Sequence, residues 1–217
     1  MKMIYESGTG EVVEKKSRFI ANVFQVMNEE QAVSYINNMK KQYYDARHNC
    51  SAYVCGDHNE IQKFSDDGEP SGTAGKPIMD IIISQEIHNC LIVVTRYFGG
   101  TLLGTGGLIR AYQAASKEGL ENAKIVEVID GIMALIDIDY NHVGKVQYIC
   151  ADMGINIYKS EYAENVHMEV LMEKDIYMEF SHKLTESFSG NVNISETFDQ
   201  KFCKSTENEI ILMKNCE

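Results

Sequence analysis

Five of the sixteen glycines of this chain fall within nine positions, in the segment RYFGGTLLGTGGLIRAY from Arg96 to Tyr112. No other stretch restricts the fold as much. Ahead of it, CLIVVT (Cys90 to Thr95) is short, apolar and rich in branched residues, which predicts a buried strand. Behind it, LIRAYQAASKEGLEN has helical composition, with Leu108, Tyr112 and Ala115 on one face. Gly99, Gly100, Gly104, Gly106 and Gly107 therefore occupy a strand-to-helix turn, where glycine permits positive φ and close approach to a ligand. The N–H groups of the helix's first turn, expected at Gly106, Gly107 and Leu108, carry partial positive charge. With Arg96 and Arg110 on either side, the turn has the makings of a phosphate or carboxylate site. Its spacing is neither G-x-G-x-x-G nor a P-loop, so it names no nucleotide. A tight turn whose glycines serve packing alone fits the same residues.

Charge is distributed unevenly over the 217 residues. Of the net −12, residues 1–128 contribute −3 and residues 129–217 contribute −9. The second half should repel a nucleic-acid backbone, so such binding would rest on a patch in the first half. All four arginines (Arg18, Arg47, Arg96 and Arg110) lie there. In a chain that otherwise uses lysine, this suggests sites that need a planar, permanently charged fork. No apolar run is near the roughly 18 residues of a membrane span and no leader is evident, which predicts a soluble, cytoplasmic protein without membrane contact. The six scattered cysteines, Cys50, Cys55, Cys90, Cys150, Cys203 and Cys216, lack paired zinc spacing and read as buried free thiols, with no metal or other cofactor expected.

Along the first half, GEVVEKKSRFIANVFQV predicts strand, turn and strand. Asn28 with Gln31 forms a capping box for a helix running to about Tyr43, its buried stripe Ala32, Ile36 and Met39. A strand over 46–56 places His48, Cys50, Ala52 and Val54 on one face, with Asn49, Ser51, Tyr53 and Cys55 on the other. Arg47 lies near the start of that strand, and His48 reads as a hydrogen-bonded core or rim histidine rather than a ligand. After a GDHNE turn and a returning IQKFS strand comes SDDGEPSGTAGKP (65–77). Its Asp66, Asp67 and Glu69 are either a base or cation site or an acidic turn leading to a helix with Pro77 at its first position. Gly75-Lys76 looks like the end of a Walker A loop, but Pro77 stands where Ser or Thr belongs. Ile78, Ile81, Ile82 and Ile87 continue as a buried helix.

A break falls near 127–131, after which the pattern restarts as β-α-β-β-α-β. In that half Asn141 and Asp175 are the expected helix starts, Gly154 and Gly190 the ends, and NVNISETF (191–198) the last strand. Neither half carries a nucleophile with an adjacent base, so no hydrolase constellation is complete.

Four blocks, KKSRFIA (15–21), ARHNCSAY (46–53), SDDGEPSGTAGKP (65–77) and VTRYFGGTLLGTGGLIRAY (94–112), resemble the IMPACT/YigZ family in its two-domain bacterial form. The resemblance implies an α+β protein. Its N-terminal domain, 1–128, would have the β/α fold shared with a ribosomal small-subunit protein, elongation factor G and GHMP kinases. Its C-terminal domain, 129–217, would be ferredoxin-like, similar to the last domain of elongation factor G. Eukaryotic relatives act in translational control by competing for the activator of a starvation-responsive kinase. The extra domain they use for that contact is not expected here, which leaves a link to translation or RNA. Three readings follow. The first is an RNA- or ribosome-binding module gripping phosphate through Arg47, Lys76, Arg96, Arg110 and the glycines. The second is an enzyme on a small phosphorylated metabolite, using Asp66, Asp67 or Glu69. The third is a protein-interaction module using the acidic second domain. Arg96 has a further possible role as a buried ion-pair partner of one of the three carboxylates.

Overall fold

The computed structural model describes residues 1–190, 192–204 and 210–213, which form two compact units, Met1–Glu127 and Val128–Glu217. In the first unit, β1 (Lys2–Glu6) precedes a hairpin of β2 (Gly8–Glu14) and β3 (Ser17–Gln25). The hairpin turns on Lys15 and Lys16, both at positive φ (46° and 66°), the geometry of a two-residue turn matched to strand twist. Helix α1 (Glu29–Gln42) follows with Asn28 as the expected N-cap: Asn28 Oδ1 accepts from Gln31 N at 2.9 Å, while Gln31 Oε1 reaches one residue beyond the expected capping box and accepts from Met27 N at 2.9 Å. Then come β4 (His48–Cys55), β5 (Ile61–Ser65), α2 (Gly75–Ser84), β6 (Ile87–His88), β7 (Cys90–Tyr97) and α3 (Gly104–Glu121).

An antiparallel sheet in the order β2-β3-β7-β4-β5 is the frame of this unit. The alternation along β4 sorts as read. Cys50, Ala52 and Val54 join the core under α2 and α3, while Tyr53 and Cys55 join a second core with Ala32 and Met39 of α1. Central β7 is covered on both sides, which is why CLIVVT is apolar at consecutive positions. Two expectations need correction. Helix α2 opens at Gly75, so Pro77 is its third residue; Asp66, reaching across from the preceding loop, takes the N–H groups there. Ile87 is not helical: Glu86 at φ 56° ends the helical stretch, and Ile87 pairs with Lys2 of β1, a strand the sequence reading missed.

At the expected break, β8 (Lys124–Ile138) runs on through 127–131, and the division between the two units falls within that strand. Lys124 to Glu127 pair with β1, and Val128 onward belong to the second unit's sheet. That unit continues with α4 (Val143–Asp152), β9 (Asn156–Tyr162), β10 (Val166–Glu173), α5 (Tyr177–Ser187), β11 (Asn193–Lys204) and β12 (Ile210–Leu212). The strand order is β12-β11-β8-β10-β9, antiparallel throughout. Val146, Ile149, Phe180 and Leu184 of the two helices pack on one face, over Ile136, Met168 and Val170. Gly154 and Gly190 end the helices at φ 66° and 80°. Asn141 and Asp175 are not caps, however; each lies in a 3-10 turn that leads into its helix without a side-chain cap. Cys50, Cys55, Cys90 and Cys150 are free and buried and Cys203 is buried, while Cys216 and Asn191 lie outside the described residues.

Candidate functional site

Register brings the first polar residues together. Arg96 on β7 is paired with Phe19 on β3 and with His48 on β4, and directly opposed residues share a face of a sheet. All three look toward α2 and α3. The loop after β5 then folds over them. It is organised by Asp66, whose carboxylate accepts from Gly72 N (2.8 Å), Ala74 N (3.0 Å) and Gly75 N (2.8 Å). Asp67 fixes the loop to the sheet, accepting from Asn49 N at 2.7 Å and Lys40 Nζ at 2.6 Å. Both carboxylates are thus engaged by the scaffold. No group of three His, Cys, Asp or Glu side chains is placed to hold a metal among the described residues.

This loop delivers Glu69 into the interior. Its Oε1 accepts from Arg96 Nη1 at 2.6 Å and from Tyr112 Oη–H at 2.8 Å, and the ion-paired side chains are 3% and 8% exposed. The guanidinium also lies over the rings of Phe19 (5.4 Å) and Phe98 (5.6 Å). Arg96 Nε, by contrast, is buried without a hydrogen-bond partner among the described residues. Tyr112 was legible only as part of a buried helical stripe. A phenol in such a stripe needs a polar partner, and that was the signal available for placing it beside an acid.

A cleft of about 510 Å³ opens above this network. Arg47, His48, Glu69 and Arg96 supply its polar wall, and Pro70, Phe98, Leu102, Leu103 and Leu108 its apolar one. Gly104 and Thr105, the start of α3, close it. That helix begins two residues before the Gly106 expected from sequence, and no side chain caps it, so the first-turn N–H groups come from Thr105 and Gly106. The left-handed positions of the turn are Gly100 (φ 83°) and Gly104 (φ 71°), whereas Gly106 and Gly107 are ordinary helical residues. Gly99 is required by close approach, since a Cβ there would meet the Lys16 carbonyl carbon at 2.0 Å.

His48 Nδ1 lies 2.8 Å from Asp67 O; a carbonyl only accepts, so Nδ1 carries a proton and is tied to the loop, leaving Nε2 as the other ring nitrogen. Burial pushes the Cys50 thiol up to about 12 and raises the Tyr112 phenol well above its usual range, so neither is an anionic nucleophile at neutral pH. Arg47 is exposed and has no ion-pair partner among the described residues. Two predicted residues do not line the cleft. Lys76 pairs with Asp80, and Arg110 is exposed on α3, its Nη1 3.7 Å from where a Cβ on Gly106 of the first turn would sit.

Comparison with known proteins adds a second line. Residues 15–120 match the Impact N-terminal domain, and residues 136–191 match a domain of unknown function, DUF1949. The chain is 40% identical to IMPACT family member YvyE of Bacillus subtilis (strain 168), over 89% of each chain. It is 32% identical to IMPACT family member YigZ of Escherichia coli (strain K12), over 83% of this chain and 89% of that one. A crystal structure of a hypothetical protein aligns with TM-score 0.56 and 30% identity, covering 89% of this chain and 95% of the other. No helix among the described residues is long and apolar enough to cross a membrane.

Proposed function

The chain belongs to the IMPACT family, and from that premise we propose that it is a binding protein of the translation apparatus whose first unit grips RNA phosphate. One observation carries the reading: an uncapped helix N-terminus, Arg47, which has no ion-pair partner among the described residues, and Arg96, whose buried Nε has no hydrogen-bond partner among them, line one cleft. These are donors without acceptors, and a phosphate supplies acceptors. The rim favours a polymer over an enclosed metabolite, because Leu102 and Phe98 are 84% and 49% exposed. An enzyme of the metabolite class would also need a free base or metal site, and Asp66, Asp67 and Glu69 are already hydrogen-bonded within the fold. The second unit's β11-β8-β10-β9 order supports a ferredoxin-like arrangement, and with it the likeness to the last domain of elongation factor G.

Arg96 is a poor residue with which to test this, since its loss strands Glu69. Arg47 is the better one. Arg47→Ala should weaken RNA binding at low salt by roughly tenfold, and reduce the slope of log affinity against log salt by about 1, with melting unchanged. The wild-type protein should sediment with ribosomes at low salt and leave them at high salt. RNA affinity that ignores both salt and the Arg47 change would sink the reading.

A further inference from the structure

We infer that the cleft takes a single unstacked nucleotide, its phosphate on the first turn of α3 and its base against Phe98. This rests on the phosphate-binding reading above and names what is attached to the phosphate. The cationic half of the site needs only an anion, yet the other half is apolar: Pro70, Phe98, Leu102, Leu103 and Leu108. A bare phosphate leaves that wall unused. The available volume of about 510 Å³ is within the range of small-molecule pockets and accommodates a phosphate with a planar ring system.

Phe98 is the residue equipped to hold such a ring. Nearly half of it, 49%, remains exposed where it lines the cleft. It also has the Arg96 guanidinium 5.6 Å from its centroid, so a base laid on the ring would join a stack already backed by a cation. Arg96 therefore links the two halves: Nη1 is taken by Glu69, Nε has no hydrogen-bond partner among the described residues, and Cζ lies over the aromatic ring. His48, its Nδ1 tied to Asp67 O, lines the same wall and turns its other ring nitrogen to hydrogen-bonding partners such as a ribose hydroxyl. A duplex offers neither an exposed base face nor a phosphate that can enter beside it. The ligand class is thus a nucleotide in single-stranded RNA, or a free nucleoside monophosphate.

The test is fluorescence anisotropy of the full chain with a labelled single-stranded RNA, the same sequence as a blunt duplex, and two competitors, adenosine monophosphate and inorganic phosphate. Wild type should bind the single strand at least tenfold more tightly than the duplex. Phe98→Leu, which keeps apolar bulk but removes the ring, should weaken single-strand binding by roughly 5- to 100-fold. Phe98→Trp should preserve it, and inorganic phosphate should compete equally against wild type and Phe98→Leu. Adenosine monophosphate competing as strongly as the strand assigns the site to free nucleotide; weaker competition assigns it to the polymer. Equal affinity for duplex, or a Phe98→Leu protein that binds normally, overturns the nucleotide while leaving the anion site standing. Failure of both RNA and phosphate to bind removes the anion site as well.

Discussion

At the scale of single residues, the first unit is held by one buried ion pair that has to be complete. Glu69 and Arg96 sit in the interior with Tyr112 as the third member, and removing one charge leaves the other desolvated and alone. Arg96→Ala should therefore cost about 3–5 kcal/mol in urea unfolding of the full chain. A loss below about 1 kcal/mol would mean that water already screens the pair. The buried thiol and phenol give a dependence on pH. Cys50 is raised by burial from 9.0 to about 12, and Tyr112 is raised as well, so the unfolded chain gives up these protons first. Their contribution is whole below about pH 9 and is lost as pH climbs toward 12. The urea midpoint should fall through that window, and Cys50→Ala should flatten part of the fall. Sequence alone placed Arg96 and the three carboxylates in neighbouring blocks, but it could not choose among them. Spacing does not say which carboxylate turns inward. That choice is made by the hydrogen bonds of Asp66 and Asp67 to backbone N–H groups, which leave Glu69 to meet the arginine.

Among the elements, periodicity was enough wherever one face is buried and the other is wet. The stripe of α1, the two faces of β4 and the Leu108–Tyr112–Ala115 face of α3 came directly from spacing. It failed where context decides. Lys2–Glu6 is a strand because β6 and β8 flank it, not because its residues alternate. The start of α3 was misplaced by two residues because five glycines carry no periodic signal, and backbone geometry alone separates them. That difference is measurable. Gly104 has φ 71°, which a side chain resists, so Gly104→Ala should lower stability by about 1 kcal/mol or more. At Gly106 an added Cβ meets only Arg110 Nη1 at 3.7 Å, and the residue is helical. Gly106→Ala should leave the protein unchanged or raise its stability by up to about 1 kcal/mol. Equal losses at the two positions in thermal melts would show that the turn does not have this geometry.

For the whole molecule, the question is whether two units bounded at Glu127 and Val128 are also two functions. Each has its own core: Ile78, Ile92 and Tyr112 are central to the first, Ile136, Val170 and Phe180 to the second. The pairing of β8 divides at the same place, with β1 before it and β11 after it. Fragments 1–127 and 128–217 should therefore each unfold cooperatively. Charge then predicts which one meets RNA. With −3 on the first half against −9 on the second, and every arginine in the first, the first repels phosphates far less at long range and holds the local donors to collect them. The cleft, its unpaired donors and Phe98 all belong to it. Fragment 1–127 should accordingly hold single-stranded RNA at least as tightly as the intact chain at low salt, since the −9 carried by the second half is gone. Fragment 128–217 should not bind at any salt. RNA affinity found in the second fragment, or lost from a folded first fragment, would place the interaction elsewhere in the chain and contradict the assignment made from the arginines and the cleft together.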